Sequence, residues 1–125
     1  MLELLLGTAA GRHVARRIGP ARETLHAPHL VDLEVAHVLR RFVREGDIDA
    51  TRGTQALEAL RALDLARYAH DVHLPRIWQL REAVTAYDAA YLALAEALAA
   101  PLLTLDARLA RSHGHRARIE LVAPD

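Results

Sequence analysis

The stretch Tyr87-Asp88-Ala89-Ala90-Tyr91-Leu92-Ala93-Leu94-Ala95-Glu96, followed by Pro101-Leu102-Leu103-Thr104-Leu105-Asp106, decides the fold. Its first part is rich in Ala and Leu, which favour helix, and predicts a helix over Tyr87 to Ala99. Leu102 to Leu105 is a short apolar run bounded by Pro101 and Asp106, the pattern of a strand buried in a parallel sheet. Downstream, Asp106 to Arg111 makes one or two helical turns and Ile119 to Val122 a last strand. Upstream, Pro75 suits a first helical position and opens a helix to Ala83.

Further back the alternation repeats. Leu65 to Tyr68 suits a short strand. Asp49 can cap a helix in which Leu57, Leu60 and Leu63 recur at three-residue intervals. Pro28 opens a long helix to about Arg44, with Leu30, Val31, Val35, Val38, Leu39 and Phe42 at helical spacing and Gly46 just past its end. Thr24 to Ala27 reads as a brief strand. Arg12 to Ile18 is a short helix closed by Gly19 and Pro20, and Leu2 to Leu6 the end of a helix closed by Gly7. Strands alternating with helices predict an α/β fold: a mostly parallel sheet with helices on both faces.

Composition narrows the function classes. The chain has 125 residues, 52% apolar and 26% charged, enough to bury a core as one domain spanning 1–125. Sixteen basic and sixteen acidic side chains cancel, so no overall basic excess marks a nucleic-acid coat protein. Every basic residue is Arg, beside twenty-five Ala, twenty-two Leu, no Lys and no Asn. That skew reads first as a GC-rich coding sequence, although Arg forks do suit phosphate oxygens. The absence of cysteine excludes disulfides, Cys-based zinc sites and thiol nucleophiles. The start fails as a signal peptide, and Ala89 to Leu105 is interrupted by Glu96 and Pro101, so a cytoplasmic protein without a membrane partner is expected.

In open α/β sheets, ligands sit beyond the carboxyl ends of the strands. Asp106 follows the strand Leu102 to Leu105 and stands at such an end. Asp88 lies near the start of a helix whose N-terminus points to the same edge, where a carboxylate serves equally as a helix-cap residue. On the long helix, 100 degrees per residue centres the apolar face near Val35. Glu34 then lies on the flank with Asp32 nearer the centre, so periodicity does not choose between them. Carboxylates brought close repel, and such a cluster is stable only with a proton or a cation between them. Mg²⁺ or Mn²⁺ fits oxygen ligands, and with phosphate esters that arrangement supports in-line hydrolysis.

Other chemistries lack residues. The closely spaced pairs His26 and His29, His70 and His73, and His113 and His115 do not have the four-residue helical spacing of a zinc protease. There is no Gly-rich phosphate loop, and Ser112, the one serine, has no triad around it. Trp78 and Tyr91 fall on apolar helix faces and are expected in the core.

Taken in order, Pro28-His29-Leu30-Val31-Asp32-Leu33-Glu34-Val35 with Val38-Leu39-Arg40-Arg41, then Leu80 to Thr85, Tyr87 to Glu96, and Leu102 to Leu109 resemble the PIN-domain family. The likeness is closest to the VapC toxins of bacterial toxin–antitoxin pairs. It covers essentially the whole chain. It implies a PIN-like three-layer sandwich and makes Glu34, Asp88 and Asp106 the metal-binding, catalytic carboxylates, the choice of Glu34 over Asp32 coming from the family match. Thr104 and Thr85 match positions where the family often carries a supporting hydroxyl. The resemblance further implies an Mg²⁺-dependent endoribonuclease, with Mn²⁺ as a substitute, that acts on transfer or ribosomal RNA. It implies a homodimer held inactive by an antitoxin whose C-terminal segment enters the cleft. Arg108 and Arg111, just after Asp106, are the candidates for RNA phosphate contact.

One departure stands at the front. The family opens with a strand ending in an Asp, and no such strand precedes Leu2, so the domain reads as N-terminally truncated with a natural start expected upstream. That predicts two exposed strand edges and one carboxylate fewer. Two alternatives accompany the nuclease reading: an impaired module that binds antitoxin or dimerises without cleaving, and a metal-dependent DNA nuclease on the same scaffold.

Overall fold

The computed structural model describes residues 24–122. The helices expected at Leu2 to Leu6 and Arg12 to Ile18 lie outside the described residues. Strand β1 (Leu25–Pro28) leads into α1 (Leu30–Arg44), followed by α2 (Ala50–Ala62) and β2 (Leu65–Tyr68). A 3₁₀ turn (Asp71–His73) precedes α3 (Leu74–Gln79), α4 (Ala86–Leu98), β3 (Leu102–Thr104), α5 (Ala107–Ala110) and β4 (Ile119–Leu121). The result is an α/β sandwich.

Each boundary has a local cause. Gly46 stands just beyond α1 at φ +79°, a left-handed conformation that glycine adopts without steric cost. Asp49 caps α2, its Oδ1 accepting a 2.7 Å bond from the Arg52 amide. Thr85 caps α4 by accepting from the Asp88 amide at 3.1 Å. At the far end of α4, Ala99 takes the left-handed conformation, φ 50°, in the place where glycine usually stands.

Both strand pairings are parallel, with Leu25 opposite Leu65 and Leu102 opposite Ile119. A parallel sheet is what the alternation predicts. Among the described residues, however, it takes the form of two separate pairs, β1–β2 and β3–β4, rather than one continuous sheet.

Two apolar clusters hold the elements. Val31, Val35 and Leu39 of α1 pack with Ala56 and Leu60 of α2 and with Ala27 and Leu65 of the first strand pair. Ile77 and Leu80 pack with Ala89, Ala90, Leu92 and Ala93 of α4 and with Leu109. Tyr91 of α4 adjoins the first cluster and Leu30 of α1 the second, so the two helices join the cores. This contact brings the flank of α1 to the first turns of α4.

Several expectations change. Of the leucines spaced at three residues in α2, Leu60 is buried with Gly53 and Ala56, Leu63 at the helix end packs against the first cluster, and Leu57 is exposed. Three-residue steps fall about 60° short of a full turn each time, so such a row drifts off one face. The helix expected over Pro75 to Ala83 ends at Gln79, and residues 80–83 continue as a turn. Trp78 is 67% exposed rather than in the core, with the Arg81 guanidinium 4.8 Å from its ring centre. Ile77 and Leu80 already occupy the inward side of this short helix.

Candidate active site

Glu34 sits half-buried on the flank of α1, where the wheel puts it. Its Oε1 accepts a 2.5 Å hydrogen bond from the Tyr91 hydroxyl of α4. Asp32, the rival on the same helix, is committed elsewhere: Arg67 Nε donates to its Oδ1 and Oδ2 at 3.0 and 2.8 Å. Arg67 also donates to the Leu65 and Leu60 carbonyls, so Asp32 is part of a clasp between α1, α2 and β2. The two carboxylates thus differ in their partners, Arg67 for Asp32 and Tyr91 for Glu34.

Asp88 lies in the first turn of α4. Capping there is done by the Thr85 hydroxyl, and the Asp88 carboxylate makes no hydrogen bond or ion pair with any described residue. Thr85 thus supports this carboxylate through the backbone. One helical turn onward, Tyr91 adjoins both charges. Burial first, then the bond to Glu34 and the negative charges of Glu34, Asp88 and Asp32, hold its phenol well above the ordinary range. It remains a neutral donor at any physiological pH.

Asp106 follows β3, as a ligand residue of an α/β edge should, and it caps α5: Oδ1 accepts from the Arg108 and Leu109 amides at 2.8 and 3.4 Å. The Thr104 hydroxyl accepts from the Asp106 amide at 3.0 Å and so fixes the turn that presents this side chain. Arg108 and Arg111 are exposed beside it.

Glu34 and Asp88 are thus drawn together around Tyr91, while Asp106 stands outside that contact. Among the described residues no three His, Asp or Glu side chains form a group poised to hold a metal ion. The donor set still suits a hard cation. Each of the three carboxylates keeps at least one oxygen with no hydrogen-bond partner among the described residues, and Mg²⁺ usually takes one or two carboxylates and fills its other positions with water and substrate phosphate. Tyr91 is the site residue that sequence reasoning assigned to the core alone. Its place one helical turn after Asp88 is the signal that marks it.

An α/β sandwich with a carboxylate at the end of a parallel strand and two more around a helix start defines a class of acidic-site domains. Comparison with known proteins makes the class specific: residues 1–113 match the PIN domain, and the chain belongs to the PIN-domain family in its VapC-type branch. It is similar to Ribonuclease VapC12 of Mycobacterium tuberculosis, 44% identical over 122 residues, covering 98% of this chain and 93% of that protein. It is also similar to Ribonuclease VapC1 of the same organism, 45% identical over 124 residues, covering 98% and 92%. Ribonuclease VapC9 is 47% identical over 89 residues, 71% of this chain and 70% of its own length.

Proposed function

We propose that this protein is the ribonuclease toxin of a toxin–antitoxin pair, an endoribonuclease that hydrolyses RNA phosphodiester bonds with Mg²⁺. The observation that carries the reading is identity of 44–45% along nearly the whole chain to two proteins named ribonucleases. Glu34, Asp88 and Asp106 would hold the metal, through the carboxylate oxygens that the protein leaves without a partner. Bound there, Mg²⁺ supplies Lewis-acid stabilisation of charge at the scissile phosphate and a water of lowered pKa.

The chain's own residues do the positioning. Tyr91 fixes the rotamer of Glu34, Thr85 sets the first turn from which Asp88 projects, and Thr104 holds the Asp106 turn. Arg108 and Arg111 are the proposed phosphate contacts next to Asp106. The partners follow from the same reading: transfer or ribosomal RNA as substrate, a second copy of the chain, and an antitoxin whose C-terminal segment fills the cleft.

Cleavage of transfer and ribosomal RNA by the purified protein tests this, run with Mg²⁺, with Mn²⁺ and with excess EDTA. Asp88→Asn and Asp106→Asn are expected to abolish cleavage; Asn keeps the capping ability of Asp106, so the fold should be unaffected. Full activity in EDTA or in both variants would refute the proposal. Antitoxin binding without any cleavage would support instead a module that does not cut. Preferential cleavage of DNA would point to the DNA nuclease alternative.

A further inference from the structure

The C-terminal half of α1 carries the most concentrated positive charge among the described residues. His37, Arg40, Arg41 and Arg44, with Glu45 at the end, line a groove of about 310 Å³. All five side chains are exposed, and none makes a hydrogen bond or ion pair with another described residue. Several other described arginines have carboxylate partners: Arg61 pairs with Glu58, Arg67 with Asp32, Arg76 with Glu96 and Arg81 with Glu82. Three guanidiniums within five residues, without a carboxylate partner among the described residues, repel one another, and an anion in the groove relieves that repulsion.

The direction of the groove gives it meaning. At 100° per residue, Arg41 lies about 20° from Glu34 around the helix and about 10.5 Å along it, while His37, Arg44 and Arg40 lie about 60°, 80° and 120° away, all to the same side. The row therefore starts beside Glu34 at Arg41 and His37 and turns toward the exposed face of the helix at Arg44 and Arg40. Attraction to the helix dipole accounts for a basic last turn, but it is indifferent to which side of the helix bears the charge. Coding bias toward Arg explains the residue type and not the alignment of Arg41 with Glu34.

We propose that His37, Arg40, Arg41 and Arg44 form a track for the phosphate backbone of RNA flanking the cleavage point at Glu34. This rests on the ribonuclease reading above for its occupant. Guanidiniums suit the track because they stay charged at all accessible pH and fork onto phosphate oxygens. Phosphate contacts set position without reading bases, so the track confers affinity and register, and base choice lies elsewhere.

The test is binding of a fluorescently labelled single-stranded RNA to the full chain in EDTA, which suspends cleavage, over a range of salt. For single strands each neutralised phosphate contributes about 0.7 to the slope of log affinity against log salt. Changing Arg40, Arg41 and Arg44 together to Gln is expected to weaken binding at least about tenfold at physiological salt and to lower the slope by about 2. Arg41→Gln alone lowers it by about 0.7, and the control Arg61→Gln changes neither. With Mg²⁺ present, the triple variant raises KM for RNA and leaves kcat within a few-fold.

Unchanged affinity, slope and KM in the triple variant, with cleavage intact, would overturn the track and leave the nuclease reading standing. Salt-dependent binding that the triple variant loses, from a protein that never cleaves RNA, would support the track and refute the nuclease reading. Loss of binding to an acidic protein partner with RNA affinity unchanged would overturn it in favour of a protein-docking face.

Discussion

The Tyr91 hydroxyl donates a 2.5 Å hydrogen bond to Glu34 Oε1, joining α4 to α1 across 57 positions of sequence. The donor stays protonated because burial and neighbouring carboxylates both oppose its ionisation. The bond holds one oxygen of Glu34 and leaves the other available. Tyr91 is therefore a positioning residue for the candidate active site.

Tyr91→Phe keeps the ring against the first core and removes only the donor. Stability should fall by about 1 kcal/mol or less, since the half-exposed Glu34 can recruit water instead. Cleavage should drop at least about tenfold because the carboxylate loses its fixed orientation. Parallel urea unfolding and RNA cleavage read the two effects. A purely structural role would lower stability and leave kcat for the remaining folded protein unchanged.

Asp32 and Glu34 should separate cleanly. Asp32→Asn dismantles the Arg67 clasp and lowers the urea midpoint while cleavage persists. Glu34→Gln is expected to leave the midpoint close to that of the parent and abolish Mg²⁺-dependent cleavage. The opposite pattern would transfer the active-site role to Asp32.

Glu96 gives a pH dependence. Its carboxylate takes a two-pronged bond from Arg76, at 2.8 and 2.9 Å, and a third from the Arg116 amide at 2.6 Å. The hydrogen bond from Arg76 leads in lowering its pKa from 4.5 to about 2. A carboxylate with a folded pKa below its unfolded one stabilises the fold above the unfolded value, and the contribution vanishes as pH falls through the folded one. Glu96→Gln should cost about 2 kcal/mol at neutral pH. The gap between the variant and the parent should close progressively below about pH 4.5, as urea titrations across that range would show.

Ala99 is strained at φ 50°. Ala99→Gly relieves the clash of Cβ in the left-handed conformation, partly offset by the greater freedom of unfolded glycine. A gain of about 0.5–1 kcal/mol is expected. Thermal or urea unfolding measures it, and a loss of stability would contradict the capping geometry.

Much of this protein is written in local patterns. The spacing of Val31, Val35 and Leu39 makes α1, Asp49 announces the start of α2, and Leu102 to Thr104 is a strand because an apolar run is cut off by Pro101 and Asp106. The order of those motifs also identifies the PIN-domain family. Such signals are legible because they depend on neighbours within a turn or two of the chain. Sequence also located Asp106 at a strand end, since that position depends on only a few residues.

Tertiary structure decided what local periodicity leaves open. Asp32 and Glu34 are two residues apart on one helix, and only Arg67 and Tyr91, brought in from β2 and α4, distinguish a clasp from a candidate active-site carboxylate. Trp78 and Tyr91 both read as core residues, yet one is solvent-exposed and the other orients Glu34. The Arg row of α1 is similarly anonymous among sixteen arginines until Arg61, Arg67, Arg76 and Arg81 take their carboxylate partners. Hydrogen bonds and ion pairs depend on ångström distances between residues far apart in the chain, and those distances exist only once the cores have packed.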